Sequence, residues 1–101
     1  IEAVFEDLAT KQKLFKALHG VCPGRTIFAS NTSTLSITEI ASGCGREDRV
    51  VGMHFCLPAQ LMKLIELSPG LNTSQAIFET ARAVWIASGA PMVDRSGCRC
   101  A

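Results

Sequence analysis

No stretch of this 101-residue chain approaches the ~20 consecutive apolar residues that a membrane-spanning helix needs. Charge of one sign is equally scarce. Ten Lys and Arg stand against nine Asp and Glu, a net charge of +1, and the basic residues are dispersed. That pattern argues against a nucleic-acid groove or a membrane-surface helix. Phosphate-binding glycine motifs are also absent, since neither G-x-G-x-x-G nor G-x-x-x-x-G-K-[ST] occurs. The chain by itself therefore lacks the usual cradle for a pyrophosphate. The five cysteines (Cys22, Cys44, Cys56, Cys98 and Cys100) contain no C-x-x-C pair. Cys98 and Cys100 are too close for an easy disulfide and have no companion pair for zinc. Reduced thiols in a cytosol-like compartment are expected, with no metal site and no thiol-redox motif. The first residues, Ile1-Glu2-Ala3-Val4-Phe5, show neither a basic leader nor an initiating methionine, and read as the middle of a longer product.

What is present is apolar for its size. Hydrophobic residues make up 48% of the chain and charged residues 19%, so apolar faces are expected to meet further sequence, a second domain or a partner. One domain fits the length. Strand-like runs alternate with helical patterns. Ile1–Phe5 reads as a buried parallel strand, and Asp7 caps a helix over Leu8–His19 that Gly20 stops. Within that helix Leu8, Leu14, Phe15 and Leu18 face inward. Thr26–Ala29 is a second strand, and Ser36 with Glu39 makes a capping box for a short helix carrying Ile37, Ile40 and Ala41. Val50–Phe55 and Met62–Leu67 are the third and fourth strands, separated by a bend at Pro58. Thr73 or Ser74 opens a helix that buries Ile77, Phe78, Ala81, Val84 and Trp85 and closes at Gly89. Pro91–Val93 is a last edge strand, and the tail from Asp94 carries no usable signal. Strand, helix, strand, helix, strand predicts an α/β fold with a parallel sheet and right-handed crossovers.

In such sheets the working site lies beyond the carboxyl ends of the strands. Glu6, Ser33 and His54 each follow one of the first three strands or sit at its end. His54 also has a carboxylate partner in prospect, Glu66 in the next apolar run. Histidine titrates nearest neutrality, and a carboxylate on its far nitrogen fixes tautomer and basicity. The same residues have structural readings. His54 reads as a satisfied strand-end histidine, and Glu66 as the ion-pair partner of Lys63 or Lys13. Of the adjacent acids Glu6 and Asp7, one caps the helix and the other is solvated, unless a carboxylate there meets the ribose or amide of a dinucleotide. Ser30, Asn31 and Thr32 read as turn chemistry, while Ser33 reads equally as turn or site. Lys11 is a solvated helix residue unless a cleft opens above the helix. His19 is structural, Gly43-Cys44-Gly45 is a turn, and Cys56 is packing.

Three segments carry a resemblance: Ala29-Ser30-Asn31-Thr32-Ser33-Thr34-Leu35-Ser36-Ile37, Val51-Gly52-Met53-His54-Phe55 and Met62-Lys63-Leu64-Ile65-Glu66-Leu67. In this order and at these spacings they resemble the L-3-hydroxyacyl-CoA dehydrogenase family, including bacterial 3-hydroxybutyryl-CoA dehydrogenases. The likeness covers about Ile1 to Val93. It implies the second half of an NAD-binding, Rossmann-type, doubly wound and mostly parallel domain, residues 1–93, followed by a divergent or disordered tail, residues 94–101. The first βαβ unit and the helical C-terminal domain of the family would then be absent. By that resemblance His54 is the base for the substrate's 3-hydroxyl, Glu66 orients the imidazole, and Ser33 bonds the reacting oxygen near the nicotinamide ribose. Glu6 and Lys11 match positions lining the NAD site. An acyl-CoA substrate, a homodimeric parent and a cytoplasmic location (a mitochondrial one remaining open) are also implied. Two departures stand out. Leu57 replaces the asparagine of the family's Phe-Asn-Pro, which invites a small non-CoA 3-hydroxy acid as an alternative substrate. The odd tail invites a non-catalytic remnant that retains the fold.

Overall fold

A computed structural model describes residues 1–55, 64–89 and 91–96. The expected positions Cys56, Leu57, Pro58, Met62, Lys63, Cys98 and Cys100 lie outside the described residues.

Helix α1 spans Leu8–His19, with Asp7 as its N-cap accepting from the Thr10 N–H. Its apolar stripe places Phe15 in the core and leaves Leu8, Leu14 and Leu18 half-buried. Gly20 closes the helix without needing its special freedom, since its φ is −72°. Strand β1 (Phe28–Ser30) begins two residues later than the apolar run suggested. Helix α2 (Ile37–Ala41) starts at Ser36, whose hydroxyl accepts from the Glu39 N–H. After a 3₁₀ turn at Glu47–Arg49 come β2 (Val50–Phe55) and β3 (Ile65–Pro69). Helix α3 (Gln75–Ser88) is capped by Ser74 and ends at Gly89, whose φ of 77° lies in the left-handed region. Strand β4 (Met92–Asp94) completes the sheet, and the Arg95 N–H continues the ladder by donating to the Leu67 carbonyl.

The strands lie in the order β1-β2-β3-β4. β1 is parallel to β2 and β3 to β4, whereas β2 and β3 run antiparallel. The fold is thus α/β and Rossmann-like with a mostly parallel sheet, as expected, and the antiparallel pair is β2–β3. Antiparallel neighbours need no helical crossover. The first expected strand is reduced to one parallel bridge, Glu2 to Ser30, held by Glu2 N–H to Ala29 carbonyl and Asn31 N–H to Glu2 carbonyl.

Because side chains alternate across a strand, the two faces of the sheet acquire different partners. Phe28 and Val50 pack with Phe15, Ile37 and Ile40 on the α1/α2 side. Ala29, Val51, Met53, Ile65 and Leu67 pack against Ile77, Phe78 and Ala81 of α3. Each fully buried side chain of this kind contributes roughly 1.5–3 kcal/mol of burial free energy. Val84, expected inside, is 60% exposed. Trp85 is half-buried, edge-on to Phe55, and its indole N–H donates to the Met53 sulfur.

Arg46 ties the loop after α1 to the sheet. Its guanidinium stacks 4.4 Å from the Phe28 ring centre and donates to His19 Nδ1 and to the carbonyls of His19, Cys22, Pro23 and Thr26. His19 is structural, as expected. Gly45 has a φ of 100° and lies so close to that imidazole that any side chain would collide with it. Burial pushes the Cys44 thiol up, against the lowering influence of the Arg46 N–H.

Candidate functional site

On the α1/α2 side, the same alternation that buries Val50 places Gly52 and His54 along one line of β2. In β3 it directs Ile65, Leu67 and Pro69 into the core and leaves Glu66 and Ser68 on the opposite face. The antiparallel register sets His54 directly across from Glu66 and Gly52 across from Ser68. Directly opposed residues bring their Cβ atoms to about 4.5–5.5 Å. The His54–Glu66 juxtaposition therefore comes from strand register rather than from a flexible loop.

Above this pair the loop after β1 folds over, and Thr32, Ser33, Leu35 and Ile37 form the other wall of a cleft of about 100 Å³. His54, Glu66, Ser68 and Arg95 line the rest. Ser33, His54 and Glu66 thus share one cleft. Gly52 shapes its base, since a Cβ there would run into the Ser68 hydroxyl and the Ile37 side chain. Glu66 pairs with Arg95, whose Nη1 donates to Oε2 at 2.9 Å. Arg95 and Ser68 are cleft residues that the sequence reading passed over. For Ser68 the signal was present, because it shares the polar face of an alternating strand with Glu66. For Arg95 there was none, since its contact spans 29 positions.

Glu6 stands behind the loop. Its Oε2 accepts from the Thr32 hydroxyl at 2.7 Å, the Ser33 N–H at 3.3 Å and the Thr34 hydroxyl at 3.3 Å. Burial pushes its carboxyl up, but the Thr32 hydroxyl, the Lys11 ammonium and the Ser33 N–H outweigh that and hold it below its usual range. Asp7 is the capping acid, held low by the Thr10 hydroxyl and N–H. Glu6, although partly exposed, is no mere solvated neighbour. The solvated reading of Lys11 is likewise corrected, because Lys11 is 1% exposed with its ammonium on Glu2.

Local turn chemistry accounts for part of Ser30, whose hydroxyl accepts from the N–H two residues on, and Asn31 reaches further. The Ser30 hydroxyl donates to Glu2 Oε1 while also accepting from the Thr32 N–H, and Asn31 Oδ1 accepts from the Phe55 N–H. Asn31 thereby stitches the end of β1 to the end of β2. Thr32 does both jobs, accepting locally from the Leu35 N–H and donating to Glu6.

An ionised, partly exposed carboxylate at Glu6 and the exposed Ser33 offer an acceptor and a donor that could meet a ribose or carboxamide. The pyrophosphate finds no cradle among the described residues. The glycines at positive φ are Gly43, Gly45 and Gly89, none of which borders the cleft. No helix among the described residues is long and apolar enough to cross a membrane.

The family model for the 3-hydroxyacyl-CoA dehydrogenase NAD binding domain matches residues 1–94. A probable 3-hydroxybutyryl-CoA dehydrogenase of Bacillus subtilis is 53% identical over 75 residues, covering 74% of this chain and 26% of that protein. The mitochondrial hydroxyacyl-coenzyme A dehydrogenase of Homo sapiens is 48% identical over 80 residues, or 79% of this chain and 26% of that protein. Among solved structures, the 3-hydroxybutyryl-CoA dehydrogenase of Escherichia coli superposes with a TM-score of 0.86 at 40% identity, covering 92% of this chain and 20% of that one. The chain spans about a quarter of the length of these curated relatives. It belongs to the 3-hydroxyacyl-CoA dehydrogenase family, within the NAD-binding domain of that family.

Proposed function

We propose that this chain supplies the acid–base half of the active site of a longer, NAD-dependent 3-hydroxyacyl-CoA dehydrogenase. The observation that carries the reading is the pairing of His54 with Glu66 across β2 and β3 in the cleft that Ser33 closes. Glu6 and Ser33 would hold the ribose and nicotinamide end of the cofactor. NAD, when bound, accepts the hydride from C3 of the substrate. His54 takes the proton from the 3-hydroxyl as that bond to hydrogen breaks, and returns it in the reverse direction. Without such a base, departure of hydride leaves positive charge on C3, and a positioned base is worth about 10²–10⁴-fold. Glu66 orients the imidazole and balances its charge once protonated. The Ser33 hydroxyl donates to the reacting oxygen.

A cleft of about 100 Å³ holds the reacting carbon and its oxygen but not an acyl-CoA. The remainder of the substrate then lies against parts of the longer enzyme. A substrate panel tests the reading. The longer dehydrogenase is expected to reduce NAD with an L-3-hydroxyacyl-CoA and to turn over the matching free 3-hydroxy acid poorly. Equal kcat/KM for the free acid would assign it instead to small hydroxy acids, and no NAD reduction with either would overturn the proposal.

A further inference from the structure

Glu2 belongs to none of the roles above, yet it is 4% exposed and lies in a buried polar cluster. Its two carboxylate oxygens take the Lys11 ammonium at 2.6 and 2.8 Å. Lys11 also donates to the Val4 carbonyl and stands 3.4 Å from Glu6 Oε1. Glu6 holds the Thr32 hydroxyl, the Thr32 N–H reaches the Ser30 hydroxyl, and Ser30 donates back to Glu2. These five residues close a ring: Glu2, Lys11, Glu6, Thr32, Ser30. Three of its side chains are nearly sealed from water, Ser30 at 0%, Lys11 at 1% and Glu2 at 4% exposure.

A buried ion pair of this kind is a poor device for stability, because desolvation consumes most of its attraction. Its value lies in geometry. Lys11 presents one ammonium to two carboxylates; Glu2, fully sequestered, fixes where that ammonium stands. Glu6 is then anchored on its inner side by Lys11, and its other oxygen grips the loop that carries Ser33. The second arm of the ring, through Ser30, holds the same loop at its base.

Resting on the functional reading above, we infer that Glu2 is a positioning residue for the cofactor side of the site, acting through Lys11 to fix Glu6 and the Ser33 loop. The Lys11 ammonium in this arrangement meets Glu2 on one side and Glu6 on the other.

The test is the paired variant Glu2→Gln/Lys11→Met, which removes the two buried charges together and leaves only the partly exposed Glu6 without its lysine. Two readouts are needed. In the 101-residue chain, amide hydrogen exchange at Ser33 should quicken by about tenfold, reflecting looser hold of the loop. In the longer dehydrogenase, the NADH dissociation constant measured by fluorescence should rise on the order of tenfold. A further Glu6→Gln should then add little, because coupled residues are not additive. Unchanged Ser33 exchange, or quicker exchange with unchanged NADH affinity, would overturn the inference. If the paired variant does not fold, Ser30→Ala cuts the ring without touching a charge, and the same two outcomes decide. A wild-type enzyme that binds no NADH would overturn the functional reading instead, while the exchange measurement would still decide the ring.

Discussion

At the level of single residues, the site is held by groups whose partners are far away in sequence. His54, Ser33 and Glu6 were legible because each sits where a strand gives way, and Glu66 because it punctuates an apolar run. Glu2, Arg46 and Arg95 were not legible. A lone acid in a strand-like stretch, or an arginine in a turn, looks solvated until the chain brings a lysine, a ring of carbonyls or a second carboxylate against it. Glu6 yields a pH prediction. Its folded pKa is lowered below the ordinary carboxylate range, so its contribution is present above that range and fades as pH falls through the folded value. Acid titration of the chain should therefore release the Ser33 amide and the Thr32 and Thr34 hydroxyls together below the ordinary carboxylate range. Amide chemical shifts follow this, and Glu6→Gln should show the released state at every pH.

Among the elements, helices were easier to read than strands. α1, α2 and α3 carry their boundaries in their own caps, Asp7, Ser36 and Ser74, which are local signals. Strand extent is set by neighbours. Ile1–Phe5 has the composition of a strand but meets β1 at only the Glu2 bridge, and β3 starts and ends later than its apolar run. Strand direction was equally hidden, since the antiparallel β2–β3 pair depends on the connection and not on either run. That pairing gives Gly52 its importance. Gly52→Ala should force the Ser68 hydroxyl and Ile37 aside and destabilise the fold by about 1–3 kcal/mol, as overpacking does. Urea unfolding measures it, through a lowered midpoint with an unchanged slope.

For the molecule as a whole, one cleft gathers Ser33, His54 and Glu66, and no phosphate cradle occurs among the described residues. Hydrophobic side chains also stand open in the first residues, Phe5 at 83% and Ile1 at 74% exposure. By itself the 101-residue chain should bind NADH weakly or not at all in titration calorimetry, whereas tight binding would show that the glycine motif is dispensable. The most direct test of the proposed role lies in the longer dehydrogenase. His54→Gln, compared with wild type for 3-hydroxyacyl-CoA oxidation and for NADH affinity, should lower kcat by about 10²–10⁴-fold while leaving the NADH dissociation constant unchanged. A folded His54→Gln enzyme that turns over at the wild-type rate would contradict the assignment of His54 as the base.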